Sequence, residues 1–100
     1  MAVAIQPTDF DVIDQLIAGN SQAIEMLYDR YARLAFGVAL KILGERTAAE
    51  DVVQEAFVAV WRNAAAFDPA RGQIRSWLLR IVRNRAIDRL RANPAYRQSA

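Results

Sequence analysis

The sequence predicts an all-α fold, a compact bundle in which one short N-terminal helix precedes three longer helices. Apolar residues recur every three or four positions in four segments of the chain, as they do along one face of a helix. Gly or Pro separates these segments, and no stretch alternates apolar with polar residues as a half-buried strand does. With 100 residues, of which 54% are apolar, the chain is large enough for one domain with one modest core.

The first two helices are bounded by start and stop signals. Pro7-Thr8-Asp9 can begin a helix that runs to about Ala18, where Gly19-Asn20 ends it. Its apolar positions are Phe10, Ile13, Leu16 and Ile17. Ser21 is a suitable N-cap for the second helix, and Gly44 should end that helix in the left-handed conformation. The predicted buried stripe of the second helix comprises Ile24, Leu27, Tyr28, Tyr31, Leu34, Ala35, Val38 and Ile42.

The second half of the chain predicts two helices joined by a loop. Thr47-Ala48-Ala49-Glu50 has the pattern of a capping box, so the third helix should begin there. Trp61 is expected to pack in the core or against a neighbouring subdomain. The apolar face of this helix is made of Val53, Ala56, Phe57, Val60 and Ala64. Pro and Gly lie close together between Phe67 and Gln73, which predicts a loop. The fourth helix should run from about Ile74 until Asn93-Pro94 ends it, and residues 96–100 are expected to fray.

Charge is divided sharply along the chain. Residues 1–70 contain five Lys or Arg and ten Asp or Glu, a net charge of −5, whereas residues 71–100 contain eight Arg and one Asp, a net charge of +7. A concentrated cationic segment attracts polyanions, while an acidic surface suits a basic protein partner. Two different partners are therefore predicted.

The composition excludes several classes of function. Cys and His are both absent, which leaves no disulfide, no thiolate or imidazole metal ligand and no imidazole base. Because the carboxylates do not cluster at metal-ligand spacing and no serine has an activating partner, we expect neither an enzyme nor a bound metal or other cofactor. No apolar run approaches the roughly 20 residues that span a bilayer. The start of the chain also lacks the pattern of a signal peptide, so we expect a cytoplasmic protein without membrane insertion.

The basic segment is built from arginine. Arginine offers a planar fork for phosphates and base edges and stacks on nucleobases, so this segment favours nucleic-acid binding. A solvated surface, or a G+C-rich genome, would produce the same bias. The residues in question are Arg71, Arg75, Arg80, Arg83, Arg85, Arg89 and Arg91.

Three strings in this half of the chain form a specific combination, although none of them is specific alone. They are D-V-V-Q-E-A-F from Asp51, W-L-L-R-I-V-R-N from Trp77 and I-D-R-L-R from Ile87. Together they resemble region 2 of bacterial sigma factors, and most closely the extracytoplasmic-function (ECF, group 4) subfamily. The resemblance covers roughly residues 23–91. It implies that residues 1–95 form a sigma region 2 domain that acts in transcription initiation.

The resemblance implies that the third helix docks on the clamp coiled coil of the RNA polymerase β′ subunit. The spacing of the matching positions is consistent with this, because residues at i, i+3, i+4 and i+7 share one helix face. Such a stripe is also common on an ordinary solvated surface. The implied polymerase-binding residues are Asp51, Gln54, Glu55, Val58 and Arg62.

The loop and the fourth helix are implied to bind promoter DNA, with a flipped base of the non-template strand of the −10 element entering a pocket beside the loop. Such a pocket needs cations for the strand, an aromatic ring to replace lost stacking, and polar groups that read the base edge. The implied cations are Arg71, Arg75, Arg80 and Arg83, and the implied aromatics are Trp77 and Phe67. The implied polar readers are Asp68, Gln73, Ser76 and Asn84, while Asp88 either reads a base or orients a neighbouring arginine.

Other interpretations stay open at this point. The chain could be a regulatory helical module whose main partner is an anti-sigma factor, or a general nucleic-acid-binding helical domain. Leu78 stands where housekeeping sigma factors have a second tryptophan, which suggests weaker strand opening. Complete family members continue into a helix-turn-helix domain that reads the −35 element. Because no such sequence follows here, we expect a fragment that directs transcription poorly by itself.

Overall fold

A computed structural model describes residues 6–94 as four α-helices, which confirms the predicted all-α bundle. The helices are α1 (Asp9–Ile17), α2 (Ala23–Leu43), α3 (Arg46–Arg62) and α4 (Ile74–Ala92). Two single 3₁₀ turns, Ala64–Ala66 and Pro69–Arg71, lie between α3 and α4. No strand occurs between residues 6 and 94. The predicted frayed tail at 96–100 lies outside the described residues.

The helix ends follow local capping chemistry, and two predicted caps are wrong. Ser21 does not cap α2, because the chain first makes a turn in which the Asn20 side chain accepts from the backbone N–H of Gln22. Thr47 does not open α3 either. Glu45 precedes that helix in an extended conformation, and its carboxylate accepts from the backbone N–H groups of Thr47 and Ala48 at 2.9 and 2.7 Å. These bonds hold the pKa of Glu45 below its ordinary value.

Helix α2 packs against each of the other three helices, and the core forms along it. Alanines occupy the centre of its buried stripe: Ala23, Ala35 and Ala39 are at most 1% exposed. The largest fully buried side chains are Leu27, Ile74, Leu78, Val12, Val52, Val60 and Val82.

Several predicted core residues lie at the surface instead. Trp61 is 46% exposed, because Val60, one residue earlier on α3, takes the buried position and Trp61 is rotated away by about 100°. Tyr28 and Leu34 of the predicted α2 stripe are 46% and 37% exposed. On α1, Val12 replaces Phe10 and Ile17 in the core. The predicted apolar face of α3, by contrast, is buried at every position named for it.

Candidate nucleic-acid and protein interfaces

The loop between α3 and α4 is shaped by side-chain caps and one glycine. Asn63 ends α3 by donating from Nδ2 to the Ala59 carbonyl at 2.9 Å. Asp68 then caps the turn Pro69–Arg71, since its side chain accepts from the Ala70 N–H at 3.0 Å. Gly72 has φ +134°, a conformation that side chains strongly disfavour, and this reversal leads the chain into α4.

A cavity of about 390 Å³ opens between this loop and the first turns of α4, and we call it the loop cavity. Its size falls within the range of small-molecule sites. It brings together most of the residues that the sequence analysis assigned to DNA. The cavity is lined by Ala66, Phe67, Asp68, Arg71, Gly72, Gln73, Ser76, Trp77 and Arg80.

Two aromatic rings form one wall of the loop cavity. The ring centroids of Phe67 and Trp77 are 5.3 Å apart and tilted by 52°. Phe67 is only 9% exposed, whereas Trp77 is half-buried. Trp77 is therefore the ring with a face available for stacking, and Phe67 supports it from behind.

The cations around the loop cavity are largely unpaired. Arg71 is 3.9 Å from Asp68, but both side chains are exposed and such a contact contributes little. Arg75, Arg80 and Arg83 are exposed and form no ion pair with other residues in the described part of the chain. Their guanidinium groups are thus accessible to an anionic ligand.

The remaining predicted DNA-binding residues lie outside the loop cavity. Asn84 and Asp88 follow Trp77 at helical spacing, so they extend the same face of α4 away from the loop. Asp88 is exposed on this face, and both of its predicted roles, reading a base and orienting a neighbouring arginine, stay open. Arg75 and Arg83 also do not line the cavity.

A second cavity of about 520 Å³ lies between α3 and α4, and we call it the α3–α4 groove. All five predicted polymerase-binding residues line it and are exposed. They do so because they share one face of α3. The complete lining is Asp51, Gln54, Glu55, Val58, Ala59, Arg62, Asn63 and Arg85.

The α3–α4 groove has mixed charge, and the sequence analysis missed the part that arginines of α4 contribute. Arg85 of α4 lines it, and Arg89 donates from Nη2 to Asp51 Oδ2 at 3.3 Å across the two helices. A signal was present in the sequence. Arg85 and Arg89 each follow a buried residue, Leu78 or Val82, by seven positions and therefore lie near the packed side of α4.

A third cavity, of about 450 Å³, lies between α2 and α3 and is mostly apolar; we call it the apolar groove. Tyr28, Val58 and Trp61 expose between 41% and 46% of their surface there. Tyr28 contacts Phe57 edge to face at 5.1 Å. The sequence analysis missed this groove because it assigned Tyr28 and Trp61 to the core. The lining is Ile24, Glu25, Tyr28, Asp29, Gln54, Phe57, Val58 and Trp61.

Two other kinds of site, a metal centre and a membrane span, were sought in the described part of the chain. Between residues 6 and 94, no group of three or more acidic side chains is placed to hold a metal ion. None of the helices in that range combines the length and apolar character needed to cross a bilayer.

Comparisons with known proteins agree with these features. The family model described as Sigma-70 region 2 matches residues 27–95. Proteins named ECF RNA polymerase sigma factor SigK, from Mycobacterium tuberculosis (strain H37Rv) and Mycobacterium bovis (strain BCG), are 35% identical over 92 residues. These matches cover 91% of the chain and 49% of each relative, so the chain spans about half the length of the curated relatives it matches.

A solved structure is also similar. It is the NMR structure of an engineered region 2 of sigmaE in complex with GTAAAA. The TM-score is 0.80 and the sequence identity is 29%, with 90% of this chain and 93% of that chain covered.

Proposed function

The chain belongs to the sigma-70 region 2 family, whose members are transcription initiation factors and not enzymes, and from this we propose that residues 1–95 form the region 2 domain of an ECF sigma factor. In this proposal the domain binds RNA polymerase through one surface and promoter DNA through another. The observation that carries the proposal is that no residue lines both the loop cavity and the α3–α4 groove. In this proposal the two partners therefore contact different residues of the domain.

The loop cavity is the proposed site for a flipped base of the non-template −10 strand. Trp77 would stack on the base, while Asp68, Gln73 and Ser76 would meet its polar edge. The unpaired arginines would hold the phosphates that flank it. The engineered region 2 of sigmaE, which has the same fold and was solved in complex with GTAAAA, supports a nucleic-acid ligand.

The energies indicate that this domain would not open a duplex alone. Stacking of one base on an aromatic ring contributes about 1–3 kcal/mol, which is comparable with the few kcal/mol that base flipping costs. Trp77 is the one ring available in the loop cavity, so the free domain should bind a strand that is already single. Additional free energy for melting would come from polymerase contacts.

The α3–α4 groove is the proposed docking surface for the β′ clamp coiled coil. Gln54 and Glu55 line it and are exposed, and Glu55 forms no ion pair with any described residue. Arg62 and Arg85 add positive charge nearby, so a partner segment with charges of both signs fits better than a purely basic one.

Selection of single-stranded −10 oligonucleotides by the chain would test the DNA site, and two variants sharpen the test. Asn84→Ala should change base preference more than total affinity, because an amide reads base edges. Arg83→Ala should weaken all sequences alike and reduce the salt dependence, because a guanidinium on a phosphate carries no sequence information. Equal losses on every oligonucleotide for both variants would contradict this division of roles.

A pull-down with a β′ clamp fragment would test the protein site. The double variant Gln54→Ala with Glu55→Arg should abolish clamp binding, because it removes an amide contact and reverses a charge. Both residues are exposed, so the midpoint of thermal unfolding should stay close to that of the unmodified chain. Unchanged clamp affinity would contradict the assignment of this surface.

The apolar groove favours a second protein partner besides the β′ clamp. We propose an anti-sigma factor as this partner. Its exposed Tyr28 and Trp61 provide the aromatic anchors typical of protein interfaces. Gln54 and Val58 line both the apolar groove and the α3–α4 groove. A protein bound in the apolar groove would therefore compete with the clamp. Competition in a binding assay, weakened by Trp61→Ala, would support this partner, and simultaneous binding of both proteins would exclude it.

A further inference from the structure

Helix α1 lies ahead of residues 27–95, the part of the chain that the family model matches, yet it is fixed firmly to the bundle. Asp9 lies at the centre of this attachment. One carboxylate oxygen accepts from Arg30 Nη1 at 2.8 Å, and the other accepts from the Tyr31 hydroxyl. Arg30 also donates to the Pro7 carbonyl. The first turn of α1 is thus tied to α2 at three points, which we call the α1 latch.

The α1 latch is partly shielded from water, and this gives it more strength than a surface pair. The side chains of Arg30 and Asp9 are 25% and 24% exposed. Burial, followed by the hydrogen bond to Asp9, raises the pKa of Tyr31 to about 12. Arg30 and Arg75 act in the opposite direction on the same hydroxyl, so the latch lies within electrostatic reach of an arginine proposed to hold DNA.

Phe10 follows Asp9 directly and leads from the latch to the loop cavity. Its ring centroid is 6.0 Å from that of Phe67, and the Phe67 centroid is 5.3 Å from that of Trp77. The three rings are thus linked by two successive contacts, from α1 through the loop to α4, and we call them the aromatic row. Phe10 is 47% exposed, so its burial contributes only part of what a core phenylalanine would contribute. The contact of Phe10 with Phe67 therefore needs a reason other than the burial of Phe10.

We infer that α1 positions the wall of the loop cavity, with Phe10 bracing Phe67 so that Phe67 holds Trp77 at a fixed stacking angle. The inference rests on the function proposed above for the loop cavity. The physical reason is that a binding site in a loop is only as well ordered as the groups that support it. Without Phe10, Phe67 loses its aromatic contact with α1, and both Phe67 and Trp77 gain freedom to tilt. Phe10 is thus a positioning residue that does not itself contact the strand.

The test compares Phe10→Ala with Ile17→Ala in the full 100-residue chain. Ile17 is on the same helix and is 53% exposed, but it has no part in the aromatic row. Two single-stranded probes are used, a −10 oligonucleotide selected with the unmodified chain and a scrambled version. Phe10→Ala should reduce the preference for the selected probe roughly 2- to 12-fold, the size of one aromatic pair contact. Ile17→Ala should leave the preference unchanged.

Three further measurements separate positioning from a general loss of structure. Affinity for the β′ clamp fragment should not change in Phe10→Ala, since the α3–α4 groove is built without α1. Phe10→Tyr, which keeps the ring, should restore the preference. Asp9→Asn should lower the pKa of Tyr31 from about 12 toward 10.0. This pKa is measured from phenolate absorbance, and Tyr31→Phe identifies the signal of Tyr31. Asp9→Asn should also reduce the preference for the selected probe.

The outcomes distinguish this inference from the proposed function. If the unmodified chain binds both probes equally, the proposed function fails. If it discriminates and Phe10→Ala discriminates equally well, the proposed function stands and the positioning role is refuted. A parallel fall in strand preference and clamp affinity, or failure of Phe10→Tyr to restore the preference, would also refute it, because either result indicates a general structural role.

Discussion

Arg89→Ala should strengthen binding of the β′ clamp, because it releases Asp51. In the free chain Arg89 holds Asp51 at 3.3 Å, and a basic clamp residue that docks on Asp51 has to displace Arg89 first. The two side chains are 42% and 49% exposed, so water screens the pair. An exposed pair of this kind contributes about 0.2–1 kcal/mol. Clamp affinity should therefore rise about 1.4- to 5-fold when Arg89 is removed.

The assay is isothermal titration calorimetry of the full chain with a β′ clamp coiled-coil fragment at two salt concentrations. The gain should shrink at the higher concentration, because salt screens exposed charges. Arg83→Ala is the matched control, since it removes the same charge from the same helix but from a position that does not line the α3–α4 groove. It should leave clamp affinity unchanged.

The result that would refute this reasoning is weaker clamp binding by Arg89→Ala. It would mean that Arg89 contacts the clamp itself or holds Asp51 in the orientation that docking needs. Chemical denaturation gives an independent check, because loss of the pair should lower the free energy of unfolding by no more than about 1 kcal/mol.

The remaining predictions concern the cavity wall, the core and the helix ends. Trp77→Ala should weaken binding of a selected −10 strand by about 1–3 kcal/mol in fluorescence anisotropy; an unchanged affinity would remove Trp77 from the site. Leu27→Ala, at a position with 0% exposure, should lower the free energy of unfolding by about 2.7–5 kcal/mol, measured with urea. Gly44→Ala should destabilise the fold by about 1–2 kcal/mol because φ there is +69°. Gly37 lies inside α2 with open space where an added Cβ would stand, so Gly37→Ala should stabilise the fold by about 0.5–1 kcal/mol. Stability changes of the same sign for both variants would contradict the conformational argument. The pKa of Glu45 is lowered in the folded state, so its carboxylate stabilises the fold above its ordinary pKa, and this stabilisation is lost as the pH falls through the folded pKa. Glu45→Gln should therefore reduce the Tm at neutral pH but not at strongly acidic pH.

The helices could be read from the sequence because their signals are local. Gly44 and the Pro69/Gly72 pair separate the long helices, and the predicted limits of α4 at Ile74 and Asn93 agree with the structure. The capping of α3 could not be fixed this way. Thr47 and Glu45 both carry a side-chain acceptor, and only the extended backbone at Glu45 decides between them.

The candidate sites also combine features that the sequence predicted with features that it did not. The five residues predicted to bind polymerase share one face of a single helix, so periodicity alone was enough to group them. The exposure of Trp61 contradicts its placement in the core, because apolar character does not tell which side of a helix is packed. The buried alanines of α2 gave a weaker signal than the tyrosines beside them, although the alanines are at most 1% exposed.

The sequence by itself determined the helical class, the family, the separation of acidic from basic segments and the residue types around the loop. These properties depend on the order of residues within a turn or two of helix, where backbone geometry fixes which side chains are neighbours. Only the tertiary structure decided that Arg89 pairs with Asp51, that Arg85 joins the α3–α4 groove, and that Phe10 reaches Phe67 at 6.0 Å. Such contacts depend on how the helices pack against one another, and packing is set by the whole core at once and by no single segment.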